Sequence, residues 1–236
     1  YPLGADFDAE PREGCDMLTV DFEDLSTGTV QSWVWDFGDN TTSTLQHPTH
    51  TYMEPGVYTV GLSIMGLCGE DSEYKEEFIT VYESPVADFS GDPLTGCDSL
   101  TVQFTDMSTG DITSWWWDFG DGNYSMDPSP GHTYTEPGVY PVTLNVSGPC
   151  GEDVEIKQAY VVVFETPEAM FSAYPTSGCE TVSVDFMDMS TGDIDSWMWD
   201  FGDNTFSTDQ DTSHTYQQPG SYTVTLMVSG PCGESS

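Results

Sequence analysis

The stretch SWWWDFGDG, residues 114–122, sets three tryptophans in a row ahead of two aspartates. Tryptophan beside carboxylates suits a sugar platform, a metal site or the middle of a β-sandwich core. Copies of the stretch show how to read it: SWVWDFGDN occupies 32–40 and SWMWDFGDN occupies 196–204, each 82 residues from the next. The same interval separates Cys15, Cys97 and Cys179, then Cys68, Cys150 and Cys232, then His50, His132 and His214. A fixed period makes one repeat the structural unit, and a unit of this length suits a small domain with its own core rather than a solenoid turn. Three tandem domains follow, at 1–83, 84–165 and 166–236.

Within a repeat the pattern is all-β. In the second, VADFSG (86–91), LTVQFTDM (100–107), SWWWDFG (114–120), GHTY (131–134), VYPVTLNV (139–146) and EIKQAYVVVF (155–164) read as strands. Tyr140, Val142, Leu144 and Val146 alternate with Pro141, Thr143 and Asn145, which is the period of a strand buried on one face. TG, DG, EPG and GPCG mark the turns, and no stretch carries a useful helical period. Six or seven short strands per unit indicate an immunoglobulin-like sandwich. The third repeat has no counterpart of EYKEEFITVYES (73–84) or EIKQAYVVVFET (155–166), so it is expected to lack its final strand, supplied either by a longer polypeptide or by another chain. A bare strand edge there would invite pairing, which already points to a longer array or a polymer.

Forty-one Asp and Glu face three basic residues, Arg12, Lys75 and Lys157, for a net charge of −38. That balance argues against nucleic acid and anionic membranes as partners, since both demand basic patches. It favours divalent cations, high salt or an acidic medium, as in a saline or mineral-rich extracellular setting. No run of about 18 apolar residues is present, so no direct membrane insertion is expected.

The order of landmarks TVDFEDLSTG, WVWDFGDN, HTYMEPGVYTVGLSI and FITVYE, copied in the other repeats, resembles the PKD-domain family. The resemblance spans nearly the whole chain. It implies tandem Ig-like β-sandwiches, an extracellular or cell-surface location, and service as a spacer, adhesive or accessory module rather than a catalyst.

On the third strand, Trp115, Trp117 and Phe119 share a side and Trp116 with Asp118 takes the other. Trp35, Trp117 and Trp199 are therefore expected in the core, with Trp33, Trp115 and Trp197 partly buried on the same face. The outward position holds Val34, Trp116 and Met198, all apolar where a solvated sheet wants polar residues. It marks an interface with a neighbour or a sugar, or is covered by long side chains on the same sheet. The DFGD aspartates suit a tight turn in which Asp accepts backbone hydrogen bonds and Gly takes positive φ.

Asp24, Asp106 and Asp188 close the second strand, with Asp111 and Asp193 in the following loop, and hard oxygen ligands near a linker suit Ca²⁺. Some members of the family bind calcium near this end, so the resemblance points the same way. The pattern is no EF-hand, and Thr29 stands where the first repeat would need the loop acid. No Ser-His-Asp order, Cys-His dyad, HExxH motif or phosphate loop occurs, and His50, His132 and His214 lack a partner nucleophile. No enzyme is expected. Sequons at Asn40, Asn123 and Asn145 allow N-glycans but do not recur in register.

Six evenly repeated cysteines read as disulfides. In the Ig-like sandwich that the resemblance implies, the second and sixth strands run parallel. The first cysteine of a repeat, before the second strand, and the second, after the sixth, then lie at opposite poles, on the order of 30 Å apart across a nine-residue strand. A disulfide needs Cα atoms within about 7 Å. End-to-end stacking offers Cys15–Cys150 and Cys97–Cys232, leaving Cys68 and Cys179 for neighbouring units. Pairing within each repeat is the alternative. Two functional readings stand: a structural subunit that polymerises end-to-end and laterally with itself, or an adhesin stalk or hydrolase accessory module that touches polysaccharide.

Overall fold

The structure, a computed structural model, describes residues 2–236, and no helix occurs among them. The first sandwich is built from β1 (Phe7–Glu10), β2 (Glu13–Cys15), β3 (Leu18–Asp24), β4 (Val30–Asp36), β5 (Thr42–Ser43), β6 (Thr49–Tyr52), β7 (Gly56–Gly66) and β8 (Gly69–Tyr82). One sheet has the order β1-β3-β6 and the other β2-β8-β7-β4-β5. All pairings are antiparallel except β2 on β8, where Cys15 lies opposite Tyr82. The second sandwich repeats this arrangement, with Thr95–Cys97 parallel to the end of Gly151–Phe164 and Cys97 opposite Phe164.

Alternation explains the core. Along β3 the burial pattern is strict, with Leu18, Val20 and Phe22 inside and Thr19, Asp21 and Glu23 outside. Trp35 is fully buried, with Phe7 edge-on at 5.3 Å and Phe22 at 5.5 Å between ring centres. Trp117 and Trp199 hold the same place in the other two cores. Trp33, Trp115 and Trp197 are half-buried at the edge of that face.

The strands differ from the sequence expectation in their ends and in number: in the second sandwich the first strand runs Phe89–Asp92 rather than over 86–91, and SWWWDFG is a strand only over Ser114–Asp118. The last two strands of the second sandwich extend to Gly138–Gly148 and Gly151–Phe164, so only Pro149 and Cys150 remain in the turn that GPCG suggested. Two short strands, Thr95–Cys97 and Tyr124–Ser125, carry too few residues to show a period.

In the third sandwich the counterpart of β8 is represented by Gly233–Ser235 alone, and its sheet has four strands instead of five. Where Phe7 and Phe89 are buried, Phe171 is 36% exposed. It lines an open cleft together with Val182, Tyr216 and Tyr222.

Candidate functional site

The DFGD run folds into a closed knot of hydrogen bonds. Asp36 Oδ1 accepts the Gly38 N–H at 3.0 Å, and Asp39 Oδ1 accepts the Thr41 N–H at 3.0 Å. Gly38 has φ of +81°, and a Cβ there would sit 2.4 Å from the Thr59 carbonyl oxygen, so a side chain is excluded twice over. The turn also consumes the histidine. His50 Nε2 lies 2.7 Å from Asp39 Oδ2, its ring stacks on Phe37 at 4.1 Å, and the Tyr52 hydroxyl donates to the Phe37 carbonyl. His132 with Asp121 and His214 with Asp203 repeat the pair at the same 2.7 Å. The sequence displays this partnership as a constant interval between Asp and His in all three repeats.

The five acids considered for calcium divide into two jobs. Asp24, Asp106 and Asp188 accept the indole N–H of Trp33, Trp115 and Trp197 at 2.7, 2.6 and 2.8 Å, and a backbone N–H of the next loop besides. They fix the tilt of the half-buried tryptophans. Asp111 and Asp193 face the linkers instead, accepting the N–H of Glu83 and of Glu165 at 2.8 Å each. Among the described residues, no three His, Cys, Asp or Glu side chains gather as a metal site.

Burial pushes the Asp24 and Asp188 carboxyls up. Hydrogen bonds from Ser26, Gln46 and Trp33, and from Ser190, Gln210 and Trp197, outweigh it and hold both below the ordinary carboxylate range. Burial likewise raises Asp39 and Asp121, against Thr41 with His50 and against His132 with Asn123, and both end up lowered. A carboxyl depressed by folding stabilises the protein above its unfolded pKa, about 3.9 for Asp, and that contribution is lost as pH falls through the lower folded value. The melting temperature should therefore drop on acidification below about pH 4, although protonation is then also relieving the net negative charge. Circular-dichroism melts between pH 7 and pH 2 check this. A melting temperature that climbs steadily to pH 2 would show that self-repulsion dominates instead.

Each junction between sandwiches is tied by a cystine and by hydrogen bonds to the linker. Cys15 is bonded to Cys150 and Cys97 to Cys232, with Cα atoms 5.6 and 5.8 Å apart. Beside the first cystine, Asp16 takes φ of +62° and accepts both the N–H and the hydroxyl of Ser84, at 2.8 and 2.7 Å. Asp98 treats Thr166 in the same way at the same distances. On the other side of each linker, Asp111 N–H donates to the Glu83 carbonyl and Asp193 N–H to that of Glu165. Each linker is thus gripped from the sandwich before it and the sandwich after it. Cys68 and Cys179 occupy the equivalent positions at the two outer poles and are exposed free thiols.

On the outer face of the larger sheets, Val34, Trp116 and Met198 are 49%, 42% and 45% exposed. Trp116 lies opposite Asn145, which in turn lies opposite Val154, and Val154 and Ile156 are exposed on the same sheet. Asn40 and Asn123 are exposed at the turns after DFGD, whereas Asn145 is half-buried in the Trp116 row. All three cations are taken up by the chain itself. Arg12 pairs with Asp8, Lys75 with Asp6 and the Phe7 ring, and Lys157 with Asp88 and the Phe89 ring.

Comparison with known proteins agrees with this architecture. Titin domains I67–I69 superpose with a TM-score of 0.61 at 12% identity, covering 100% of this chain and 96% of that one, which shows the tandem Ig-like fold. Collagenase ColA of Bacillus cereus is 45% identical over 58 residues, 25% of this chain and 6% of the collagenase. The pre-pro-metalloprotease PrtV of Vibrio cholerae is 34% identical over 87 residues, 37% of this chain and 9% of that protein. The chain thus matches only a small fraction of the length of either relative. A PKD-domain profile matches residues 3–81, 82–163 and 165–236. The chain belongs to the PKD domain family as three PKD domains in tandem.

Proposed function

We propose that this chain is a structural spacer of an extracellular protein, a segment of a stiff fibre or stalk of PKD domains joined end to end. The observation that carries the proposal is the repeated junction: the same cystine, the same Asp clamp and the same linker contact recur at both boundaries. A flexible tether needs none of these. Disulfides suit an oxidising compartment, and the matched relatives include a collagenase and a pre-pro-metalloprotease. Cys68 and Cys179, placed like the bonded cysteines, extend the array by pairing with further PKD units. Calcium belongs to this reading as a bridge between acidic surfaces.

Electron microscopy of the oxidised, calcium-replete protein tests the spacer, with straight rods or end-to-end fibres as the expected image. Bent, freely jointed monomers alone would overturn it. For calcium, titration calorimetry of the chelated protein is expected to show heat on adding Ca²⁺, and a flat trace would remove the cation from the proposal.

The exposed Trp116 row favours a second reading, an accessory module of a secreted hydrolase that rests on polysaccharide. Binding on a glycan array, lost in Trp116→Ala, would select this reading over the spacer.

A further inference from the structure

The four bonded cysteines occur along the chain in the order 15, 97, 150, 232, and they pair first with third and second with fourth. The two cystines therefore cross. Pairing inside each repeat would give separate loops strung on a single backbone. Crossing gives something different: three chain segments, 16–96, 98–149 and 151–231, all run between the same two cystines.

The fold imposes this crossing. Cys15 and Cys97 end the short parallel strands at the pole where the chain leaves a sandwich, opposite Tyr82 and Phe164. Cys150 and Cys232 sit in the tight turn at the pole where the chain enters, just before Gly151 and Gly233. A cystine joining the exit pole of one sandwich to the entry pole of the next must span the linker and all that lies between in sequence. Consecutive junctions then necessarily interlock.

We infer that the crossed cystines make the three-domain unit tolerant of backbone cleavage. One cut anywhere in the three segments leaves the two ends of the molecule covalently joined through the other two. Two cuts in different segments still leave one intact route. The hydrolysis itself is ordinary, adding one water per peptide bond broken, and no thiol or oxidant takes part. The tolerance comes from how the cysteines pair and is the same whether the chain serves as a fibre or as an accessory module.

The scarcity of basic residues provides a clean test. Trypsin has three sites, after Arg12, Lys75 and Lys157, and the last two fall in different segments. The thiols of Cys68 and Cys179 are alkylated first, and the full chain is then unfolded in urea and digested to completion. Without reductant, mass spectrometry is expected to find residues 13–236 as one covalent species, heavier by two waters, together with peptide 1–12. Reduction should resolve that species into 13–75, 76–157 and 158–236, which also proves that both bonds were cut. In Cys15→Ser, 13–75 should leave alone while the other two pieces stay joined. Three separate species before reduction, or release of 13–75 from the unsubstituted chain, would overturn the inference.

Discussion

Replacing Trp117 with alanine is expected to unfold the middle sandwich at a far lower temperature, while the same change at adjacent Trp116 leaves it nearly unmoved. Trp117 is fully buried, packed by Phe89 at 5.1 Å and Phe104 at 5.5 Å, and its indole N–H donates to the Asp127 carbonyl at 3.0 Å. Truncating a buried tryptophan costs about 3–5 kcal/mol through lost transfer energy and the cavity left behind. In a domain of this size that corresponds to a fall on the order of 20 °C. Trp116 is 42% exposed, and surface changes usually stay within about 0.5 kcal/mol. Calorimetry of the two variants reads the difference. Equal losses would mean that the outward face is packed as tightly as the core, contrary to the alternation of the strand.

The second large effect concerns length under load. Pulled by tags at its two ends with both cystines intact, the chain should stop lengthening at roughly a third of its reduced contour. Once all three sandwiches have opened, only residues 1–15, 97–150 and 232–236 lie on the shortest covalent route. At about 3.5 Å per residue that route spans about 250 Å, against about 820 Å for the reduced chain. Force-extension curves with and without a thiol reductant measure both values. Equal contours would show that the cystines do not carry the load.

Some of this was legible in the residues because it rests on short-range periodicity. Alternation in SWWWDFG separated Trp117 from Trp116, and the Gly and Asp residues of the same run marked a turn. β2 was not legible: three residues including a glycine show no period, and what makes them a strand is the end of β8 lying alongside. The acidic loop residues were ambiguous for a different reason. A carboxylate that awaits a cation and one that awaits an N–H look the same in sequence. Asp106 accepts from an indole nine residues on, and Asp111 from a backbone N–H 28 residues back across a domain boundary. Asp16 offered no signal at all, since its role depends on a left-handed backbone that points the carboxylate at Ser84.

The capture of Arg12, Lys75 and Lys157 by the chain's own acids reaches beyond a single molecule. With each cation spent on an acid of its own sandwich, the field that one copy presents to another has a single sign. Two copies lying side by side repel over a Debye length, about 30 Å at 0.01 M salt and about 3 Å at 1 M. The separation of two copies in solution should then follow the salt around them. In the proposed array, dilute medium should hold two copies apart, and brine should let the exposed faces bearing Val34, Trp116 and Met198 draw closer.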